Sequence, residues 1–240
     1  MKRIIITGAS RGLGLQIATT LLEEGHQVVD ISRSLSSSYS ELQAKFGNQA
    51  LHFNYDLSTP DSLHTFYRTN LRPLGEIHGL VNNAAQAYDD LLTNAKLASI
   101  EAMFRVNVFS AMILSKLVVR DMLLHSVSGS LVHVSSVSAH TGYKGLSMYA
   151  STKGALEAFS LSVAREWGVK GIRSNCVAAG FMETDMSRSL DDEQKAKIYK
   201  RTALQRPTSQ TSVAKAVAFL LSDASETITA SVMAVDSGTL

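Results

Sequence analysis

The sequence is poor in the residues that define several classes of protein. It has one cysteine, Cys176, which excludes an internal disulfide and a cysteine-based zinc site. Neither sign of charge dominates, because 23 Lys and Arg against 21 Asp and Glu leave a formal net charge of +2. This balance gives no indication of a nucleic-acid partner. No two histidines show the H-x-x-x-H spacing typical of a metal site, so no metal is expected.

Long apolar runs are also scarce. None approaches the ~20 residues that span a bilayer, and Gly8 interrupts the apolar start too early for a signal peptide. With 45% hydrophobic and 18% charged residues, the chain has a globular rather than a disordered composition. We therefore expect a soluble, cytoplasmic protein without a membrane partner, folded as one domain over residues 1–240.

Short apolar runs alternate with helical patterns along the chain. The apolar runs, which have the length of buried strands, lie at 4–6, 28–31, 51–53, 77–81, 130–134, 172–177 and 232–235. Apolar residues recur at helical spacing at 13–22, 63–71, 97–124, 149–167 and 213–221. This alternation predicts an α/β, Rossmann-type doubly wound parallel sheet with helices on both faces. The serine-rich stretch 34–38 is interpreted as a loop.

The first turn after a predicted strand is rich in glycine. Gly8, Gly12 and Gly14 lie in the sequence TGASRGLG, at residues 7–14. Glycine lets the backbone approach a ligand closely, and the free N–H groups of a helix N-terminus attract phosphate. The spacing G-x-x-x-G-x-G differs from the usual dinucleotide fingerprint. Alone, the segment fits either a phosphate-binding turn or a tight turn without a ligand.

A tyrosine and a lysine four residues apart indicate acid–base chemistry. Tyr149 and Lys153 share one face of a predicted helix. An adjacent ammonium is expected to lower the tyrosine pKa from its usual value of about 10, towards neutral pH. Ser136 directly follows the fifth strand, where a parallel sheet exposes ligand-binding residues. By itself the Tyr–Lys pair also fits a solvated helix face.

Together these features resemble the short-chain dehydrogenases/reductases over nearly the whole chain. The residues that carry the resemblance, in order, are the glycine turn, Asp56-Leu57, Asn82-Asn83-Ala84-Ala85, Asn107, Ser136, Tyr149 with Lys153, and the sequence AGFMET at 179–184. Two positions depart from the family pattern: Ala179 replaces a common proline, and Asp236-Ser237 lies where a Gly-Gly pair is frequent. Neither change removes a reactive group, so they affect the geometry of the pocket rather than the class of chemistry.

The resemblance implies four catalytic residues. Tyr149 would be the acid/base, and Lys153 would lower its pKa and hold the nicotinamide ribose. Ser136 would hydrogen-bond the substrate oxygen. Asn107 would anchor a water in a proton relay from Lys153, with a plain polar contact as the alternative.

The resemblance also implies a dinucleotide site. Asp56 would contact the adenine, Asn82 would brace the sheet, and Thr184 would touch the carboxamide or the diphosphate. The implied cofactor-binding residues are Gly8, Ser10, Arg11, Gly12, Leu13, Gly14, Ser32, Arg33, Asp56, Leu57, Asn83, Ala84, Tyr149, Lys153, Gly180, Met182 and Thr184.

The end of the second strand bears on the choice between NAD and NADP. Dinucleotide folds place an acid there for the ribose of NAD, or an arginine nearby for the 2′-phosphate of NADP. By resemblance the deciding position is Ser32, followed by Arg33, with Arg11 as a second guanidinium. Asp30 lies further back from the strand end and is discounted as a ribose ligand. The expected cofactor is NADPH, with two plain surface arginines as the alternative.

The expected activity is NADPH-dependent reduction of a ketone, with Tyr149 as proton donor. The general likeness is to 3-oxoacyl-acyl-carrier-protein reductases, which suggests an acyl-thioester substrate. However, residues 123–129 carry no Lys or Arg to dock an acidic carrier protein, although Lys170 lies nearby. The alternatives are an alcohol, sugar or sterol dehydrogenase, a polyketide-type ketoreductase, another small-molecule reductase, or a non-catalytic nucleotide-sensing regulator.

Two further expectations concern a lid and assembly. The polar segment 183–205, with interspersed apolar residues such as Met186 and Leu190, resembles the mobile substrate lid of the family. The family also associates through the two long helices, which predicts a homotetramer or homodimer. The apolar residues expected at these contacts, unless they face the chain's own core, are Phe104, Val108, Met112, Phe159 and Val163.

Overall fold

The computed structural model describes residues 1–184 and 191–240. Within these ranges seven parallel strands form one sheet in the order β3-β2-β1-β4-β5-β6-β7. The strands are β1 (Arg3–Thr7), β2 (Gln27–Ser32), β3 (Ala50–Asn54), β4 (Gly79–Asn82), β5 (Ser130–Ser136), β6 (Arg173–Ala179) and β7 (Val232–Val235). The strand order reverses between β1 and β4, where such sheets bind ligands at their carboxyl ends. The predicted Rossmann-type fold is confirmed.

Helices cover both faces of the sheet. They are α1 (Gly12–Glu23), α2 (Ser37–Phe46), α3 (Leu63–Phe66), α4 (Leu97–Phe104), α5 (Ser110–Leu124), α6 (Ser138–Thr141), α7 (Ser147–Trp167), α8 (Asp192–Tyr199) and α9 (Gln210–Leu221). Side chains alternate across each strand, so Ile4 and Ile6 pack in the layer of α1 and α9 while Ile5 packs in the layer of α3 and α5. Because helices cover both faces of the sheet, a polar ligand can reach it only at the edge formed by the strand ends.

The serine-rich stretch 34–38 is a loop through Ser36 and becomes helical at Ser37, so its interpretation as a loop was wrong for its last two residues. The hydroxyl of Ser36 accepts a hydrogen bond from the Tyr39 N–H at 3.1 Å and caps α2. Tyr39 and Leu42 are buried and fix the helix to the sheet. Serines therefore cap this helix rather than avoid it.

One long helical stretch has the average hydropathy of a membrane span, although it contains no uninterrupted apolar run of that length. The stretch Leu97–Leu124 joins α4 and α5 through a π-helical turn, Arg105–Phe109, and has a mean hydropathy of 1.6 in its most apolar window. By length and composition it could cross a membrane, because scattered polar residues do not lower its average below that of a span. However, 56% of that window is buried inside the protein, as in a core helix.

The long helices expose some of the apolar residues expected and some others. Val108 and Val163 are buried within the chain's own core, at 3% and 7% exposure. Phe104, Met112 and Phe159 are partly exposed. The most exposed large apolar side chains along α5 and α7 are Phe109, Leu124 and Leu161, at 46%, 59% and 47%.

Candidate active site

The glycine turn between β1 and α1 is shaped by close packing. Gly8 has φ of +74°, and a Cβ at Gly14 would overlap the carbonyl oxygen of Gly8. The side-chain amide of Asn83 donates to the carbonyls of Thr7 and Gly8, at 3.0 and 3.1 Å. The Thr7 hydroxyl accepts the N–H groups of Asn83 and Ala84, both at 3.0 Å. Asn83 and Ala84, predicted to bind cofactor, therefore also fix the turn.

The same turn leaves room for an anion. Gly12 has φ of +55°, and a Cβ there would meet no atom within 4 Å. The first turn of α1 has no acidic residue, and no side chain caps its N–H groups. Ser10 and Leu13 lie in this segment, where the positive end of the helix attracts phosphate. The site fits the diphosphate of a dinucleotide.

Asp30 on β2 is fully buried, and its carboxylate is occupied by protein groups. It accepts hydrogen bonds from the Ala9 N–H at 2.8 Å and from the Ser32 hydroxyl at 2.7 Å. It also contacts Nδ1 of His52 at 2.8 Å. Asp30 therefore ties the glycine turn to β2 and β3, a role that sequence spacing does not show.

The residues expected to choose the cofactor lie at the end of β2. Ser32 is buried, whereas Arg33 and Arg11 are exposed. The Ser58 N–H lowers the pKa of the neighbouring Asp56, and the Arg33 guanidinium adds to this effect. Leu57 is buried beside Asp56. The structure thus places an arginine and an aspartate at the predicted adenosine end.

Tyr149 and Lys153 lie on the same face of α7, as the spacing predicted, but the lysine ammonium does not point to the tyrosine hydroxyl as its only partner. The Lys153 ammonium is buried, donates to the carbonyl of Val134 on β5 at 2.8 Å, and lies 5.5 Å from the centroid of the Tyr149 ring. Burial lowers the pKa of Lys153 to about 8. The structure thereby brings the lysine and tyrosine of α7 to the end of β5, two residues before Ser136.

The predicted lowering of the tyrosine pKa was wrong for this arrangement. Burial, with the carboxylate of Asp89 adding to it, raises the pKa of Tyr149 to about 12. The ammonium of Lys153 lies over the ring and bonds to Val134, so it does not offset these two effects. The phenol is consequently protonated at neutral pH, the form that donates a proton. Sequence reasoning missed Asp89, because nothing local marks a residue sixty positions away as a neighbour.

Ser136 ends β5 at the same edge. Its hydroxyl accepts the Ser138 N–H at 3.2 Å, which starts the short helix α6. The side chain is partly exposed, whereas the neighbouring Ser135 is buried and donates to Glu157. Ser136 therefore offers its hydroxyl towards the open strand ends.

Asn107 lies in the π-helical turn and is 1% exposed. Its side-chain oxygen accepts the Gln86 N–H at 2.8 Å, and its amide donates to the Gln86 carbonyl at 2.9 Å and to the Thr152 hydroxyl at 3.1 Å. The Thr152 hydroxyl in turn donates to the carbonyl of Tyr149 at 2.7 Å. Asn107 thus joins the segment after β4 to α7, and sequence reasoning missed Gln86 and Thr152.

A buried polar network lies beneath Lys153. The amide of Asn82 contacts the Ser115 hydroxyl at 3.0 Å and Nδ1 of His133 at 3.1 Å, as expected for a residue that braces the sheet. Nε2 of His133 lies 3.3 Å from the Ser174 hydroxyl. Burial and the charge of Lys153 lower the pKa of His133 to about 4, so this histidine is neutral.

One departure from the family pattern, Asp236, has a clear local structure beside Gly180. A Cβ at Gly180 would overlap Thr208 and Asp236, so this position needs glycine for packing. The Asp236 carboxylate accepts the N–H groups of Gly238, Thr239 and Leu240 at 2.9, 2.9 and 2.7 Å. Asp236 therefore fixes the last residues of the chain beside the strand ends.

The described part of the predicted lid is anchored at Glu183. Its carboxylate accepts the Tyr199 hydroxyl at 2.7 Å, and its carbonyl accepts the Gln210 amide at 2.9 Å. These bonds connect the segment after β6 to α8 and α9, beside Met182 and Thr184. Met186 and Leu190 lie outside the described residues. Among the residues that are described, no cluster of three or more His, Cys, Asp or Glu side chains could hold a metal ion.

Comparison with known sequences decides the family. A family model described as enoyl-(acyl carrier protein) reductase matches residues 8–239. The 3-oxoacyl-acyl-carrier-protein reductase FabG of Salmonella typhimurium is 35% identical over 237 residues, which cover 99% of this chain and 96% of that protein. The FabG of Chlamydia trachomatis is 33% identical over 240 residues, with the same two coverages. The chain belongs to the short-chain dehydrogenase/reductase family.

Solved structures agree. This short-chain dehydrogenase/reductase is similar to a gluconate 5-dehydrogenase from Burkholderia cenocepacia, solved with NADP and tartrate, with a TM-score of 0.93 and 27% identity over 99% of this chain and 94% of that one. It is also similar to a putative betaketoacyl-ACP reductase, with a TM-score of 0.87 and 28% identity over 99% and 97%. The protein is an NAD(P)-dependent oxidoreductase that acts on CH–OH or C=O groups.

Proposed function

We propose that this enzyme uses NADPH to reduce the ketone of a 3-oxoacyl thioester, with Tyr149 as proton donor. The observation that carries the proposal is the position of Tyr149 at the end of β5, where the buried Lys153 ammonium lies 5.5 Å from its ring centroid and burial raises the pKa of its hydroxyl to about 12. The FabG relatives, aligned over nearly the whole chain, support the substrate class.

Each catalytic residue has a role that its position permits. Ser136 hydrogen-bonds the substrate carbonyl oxygen, and Tyr149 gives that oxygen its proton. The Lys153 ammonium uses one of its three donors on Val134, which leaves two to hold the nicotinamide ribose. The Asn107 oxygen accepts one N–H and has a second lone pair for the water of a proton relay. The nicotinamide, when bound, supplies the hydride.

The cofactor-binding assignments follow the strand ends. The glycine turn holds the diphosphate, Asp56 and Leu57 contact the adenine, and Arg33 with Arg11 binds the 2′-phosphate. Gly180, Met182 and Thr184 line the nicotinamide side. The 2′-phosphate assignment is supported by an exposed arginine at the end of β2 and by Asp30, which is held by three protein groups.

A sugar-acid dehydrogenase is the second candidate, favoured by one observation. The gluconate 5-dehydrogenase fold matches with a TM-score of 0.93, above the 0.87 of the ketoacyl reductase. The two candidates share the proton-transfer residues and differ in what the pocket and the segment 183–205 accept. Steady-state assays therefore distinguish them.

The test measures NADPH oxidation with acetoacetyl-coenzyme A and NADP⁺ reduction with gluconate. We expect kcat/KM for the thioester to exceed that for gluconate by at least about tenfold, which corresponds to 1.4 kcal/mol of differential transition-state binding. A preference for gluconate would establish the second candidate. The Tyr149→Phe variant, assayed in parallel, controls for contaminating activity.

The proposal includes a homotetramer or homodimer in the cytoplasm. Its support is the exposed apolar surface formed by Phe109, Leu124 and Leu161. Light scattering of Leu161→Glu tests the assembly, with Val169→Glu as the control because Val169 is 87% exposed outside these helices. We expect only Leu161→Glu to lower the mass, and a wild-type monomer would contradict the assembly.

A further inference from the structure

Four polar side chains form a square on one face of β2 and β3, next to Arg33. The register of these two parallel strands pairs Asp30 with His52 and Ser32 with Asn54. Residues two apart on a strand share one face, so the four side chains lie together. The Ser32 hydroxyl donates to Asp30 Oδ2 at 2.7 Å, and Nδ1 of His52 lies 2.8 Å from the same oxygen. Nε2 of His52 lies 2.5 Å from Asn54 Oδ1.

The square brings a negative charge to the end of β2. The Asp30 carboxylate is fully buried and directly contacts Ser32, the residue that precedes Arg33. The Ser32 hydroxyl has one proton, and its contact with Asp30 is shorter than its 3.3 Å contact with the Ser34 carbonyl. A carboxylate at this place repels a phosphate group. Without compensation, Asp30 would therefore disfavour NADP relative to NAD.

The ring of His52 can supply that compensation. Its side chain is 7% exposed, and its two nitrogens each face an oxygen, one of Asp30 and one of Asn54. A neutral imidazole has one N–H donor, whereas the charged ring has two. Tyr39 of α2 also packs near this ring, with the ring centroids 6.0 Å apart, and burial raises its pKa so that it is uncharged. Buried carboxylates are normally paired with an opposite charge, which the His52 ring provides when it is protonated on both nitrogens.

We propose that His52 determines the preference of this enzyme for NADPH. Its ring, with a proton on both nitrogens, donates to Asp30 and Asn54 and cancels the charge of the carboxylate behind the 2′-phosphate. Arg33 and Arg11 then attract the phosphate without a competing negative charge. This role rests on the proposed use of NADPH. His52 acts through Asp30 and does not itself contact the cofactor, so it is a specificity-determining residue rather than a catalytic one.

Fluorescence titration with NADPH and with NADH at pH 6.5 tests this role. His52→Gln leaves the charge of Asp30 uncompensated, so NADPH should bind about tenfold more weakly while NADH affinity changes less than about twofold. Asp30→Asn/His52→Gln removes both charges and should restore NADPH affinity to within about threefold of the wild type. The control, His125→Gln, removes an exposed histidine that precedes β5 at the opposite edge of the sheet and should bind like the wild type. Thermal melting establishes that each variant is folded at the temperature of the titration.

The double variant separates charge from structure. If His52 only supported the fold, the double variant would lose more contacts than His52→Gln and would bind NADPH no better, which would overturn the proposal. The ¹⁵N chemical shifts of the His52 ring, identified by their loss in His52→Gln, should be those of the charged ring at pH 6.5, and a neutral ring would also overturn it. A wild type that prefers NADH would refute the proposed cofactor itself. A wild type that prefers NADPH, with the same preference in His52→Gln, would refute only the role of His52.

Discussion

The nucleotide half of the sheet and its catalytic half each hold a charged side chain that is at most 2% exposed, and these two side chains, Asp30 and Lys153, have different numbers of partners. Asp30, on β2, has three partners at 2.7 to 2.8 Å from three segments of the chain. Lys153, beside β5, has one hydrogen bond at 2.8 Å. A charge with all its partners stabilises structure. A charge with unused donors is available to bind and react.

The largest expected effect tests the catalytic half. Lys153→Met should lower kcat/KM by about 10²–10⁴-fold, because the variant loses the ribose contact that positions the nicotinamide beside Tyr149. Its free energy of unfolding at pH 7 should rise by about 1–3 kcal/mol, since folding depresses the lysine pKa to about 8 and the charged form is the disfavoured one below that value. Assays of NADPH oxidation and urea unfolding measure both. If Lys153→Met were less stable than the wild type, the buried lysine would stabilise the fold as Asp30 does, and the proposed difference between the two charges would be wrong.

The matching change in the nucleotide half should act on stability. Asp30→Asn keeps the size of the side chain but replaces one carboxylate oxygen by an NH₂ group that faces a hydrogen-bond donor. The free energy of unfolding should therefore fall by about 3 kcal/mol. Turnover at a temperature where the variant is folded should stay within a few-fold of the wild type. Urea unfolding and kcat measured on the same preparation check this. A large loss of kcat without a loss of stability would place Asp30 in the chemistry instead.

The edge of the nucleotide half should control cofactor choice. Arg33→Asp removes a charge-assisted contact to the 2′-phosphate, worth about 1.5–3 kcal/mol. NADPH affinity should therefore fall by about 10–150-fold, while NADH affinity changes little. Fluorescence titration with the two cofactors measures this. If the wild type binds NADH as tightly as NADPH, Arg33 and Arg11 do not select the cofactor.

The smallest effect concerns His133, beneath Lys153. Its folded pKa of about 4 is below the ordinary 6.5, so its contribution to stability is present above pH 6.5 and is lost as the pH falls towards 4. Between pH 6.5 and 5 the wild type should lose about 1–2 kcal/mol through this group. His133→Gln, which does not titrate, should flatten that part of the urea-unfolding profile. An unchanged slope would assign the acid sensitivity elsewhere.

The sequence predicts the strands well because each one is a short apolar run, as at residues 4–6. It does not predict α2, where serine residues precede a helix that is fixed by two buried side chains, or α8, which buries none. The π-helical turn around Asn107 cannot be predicted either, because the apolar pattern of the helix continues through it. Elements that depend on capping or on weak burial are thus invisible to apolar periodicity.

The candidate site is predictable in composition but not in electrostatics. Spacing brings Tyr149 and Lys153 to one helix face, yet the direction of the tyrosine pKa shift depends on burial and on Asp89. Likewise, the Lys153 ammonium donates to the carbonyl of Val134, which lies 19 residues earlier in the sequence. These contacts follow from packing, so one-dimensional spacing could not have shown them.

The most direct test of the catalytic half is the rate of NADPH oxidation by Tyr149→Phe on the best thioester found. This change removes only the hydroxyl, so NADPH affinity and the free energy of unfolding should match the wild type. We predict that kcat falls by about 10²–10⁴-fold, the usual contribution of a general acid. If the variant retains most of the wild-type rate, Tyr149 is not the proton donor and the proposed mechanism is wrong.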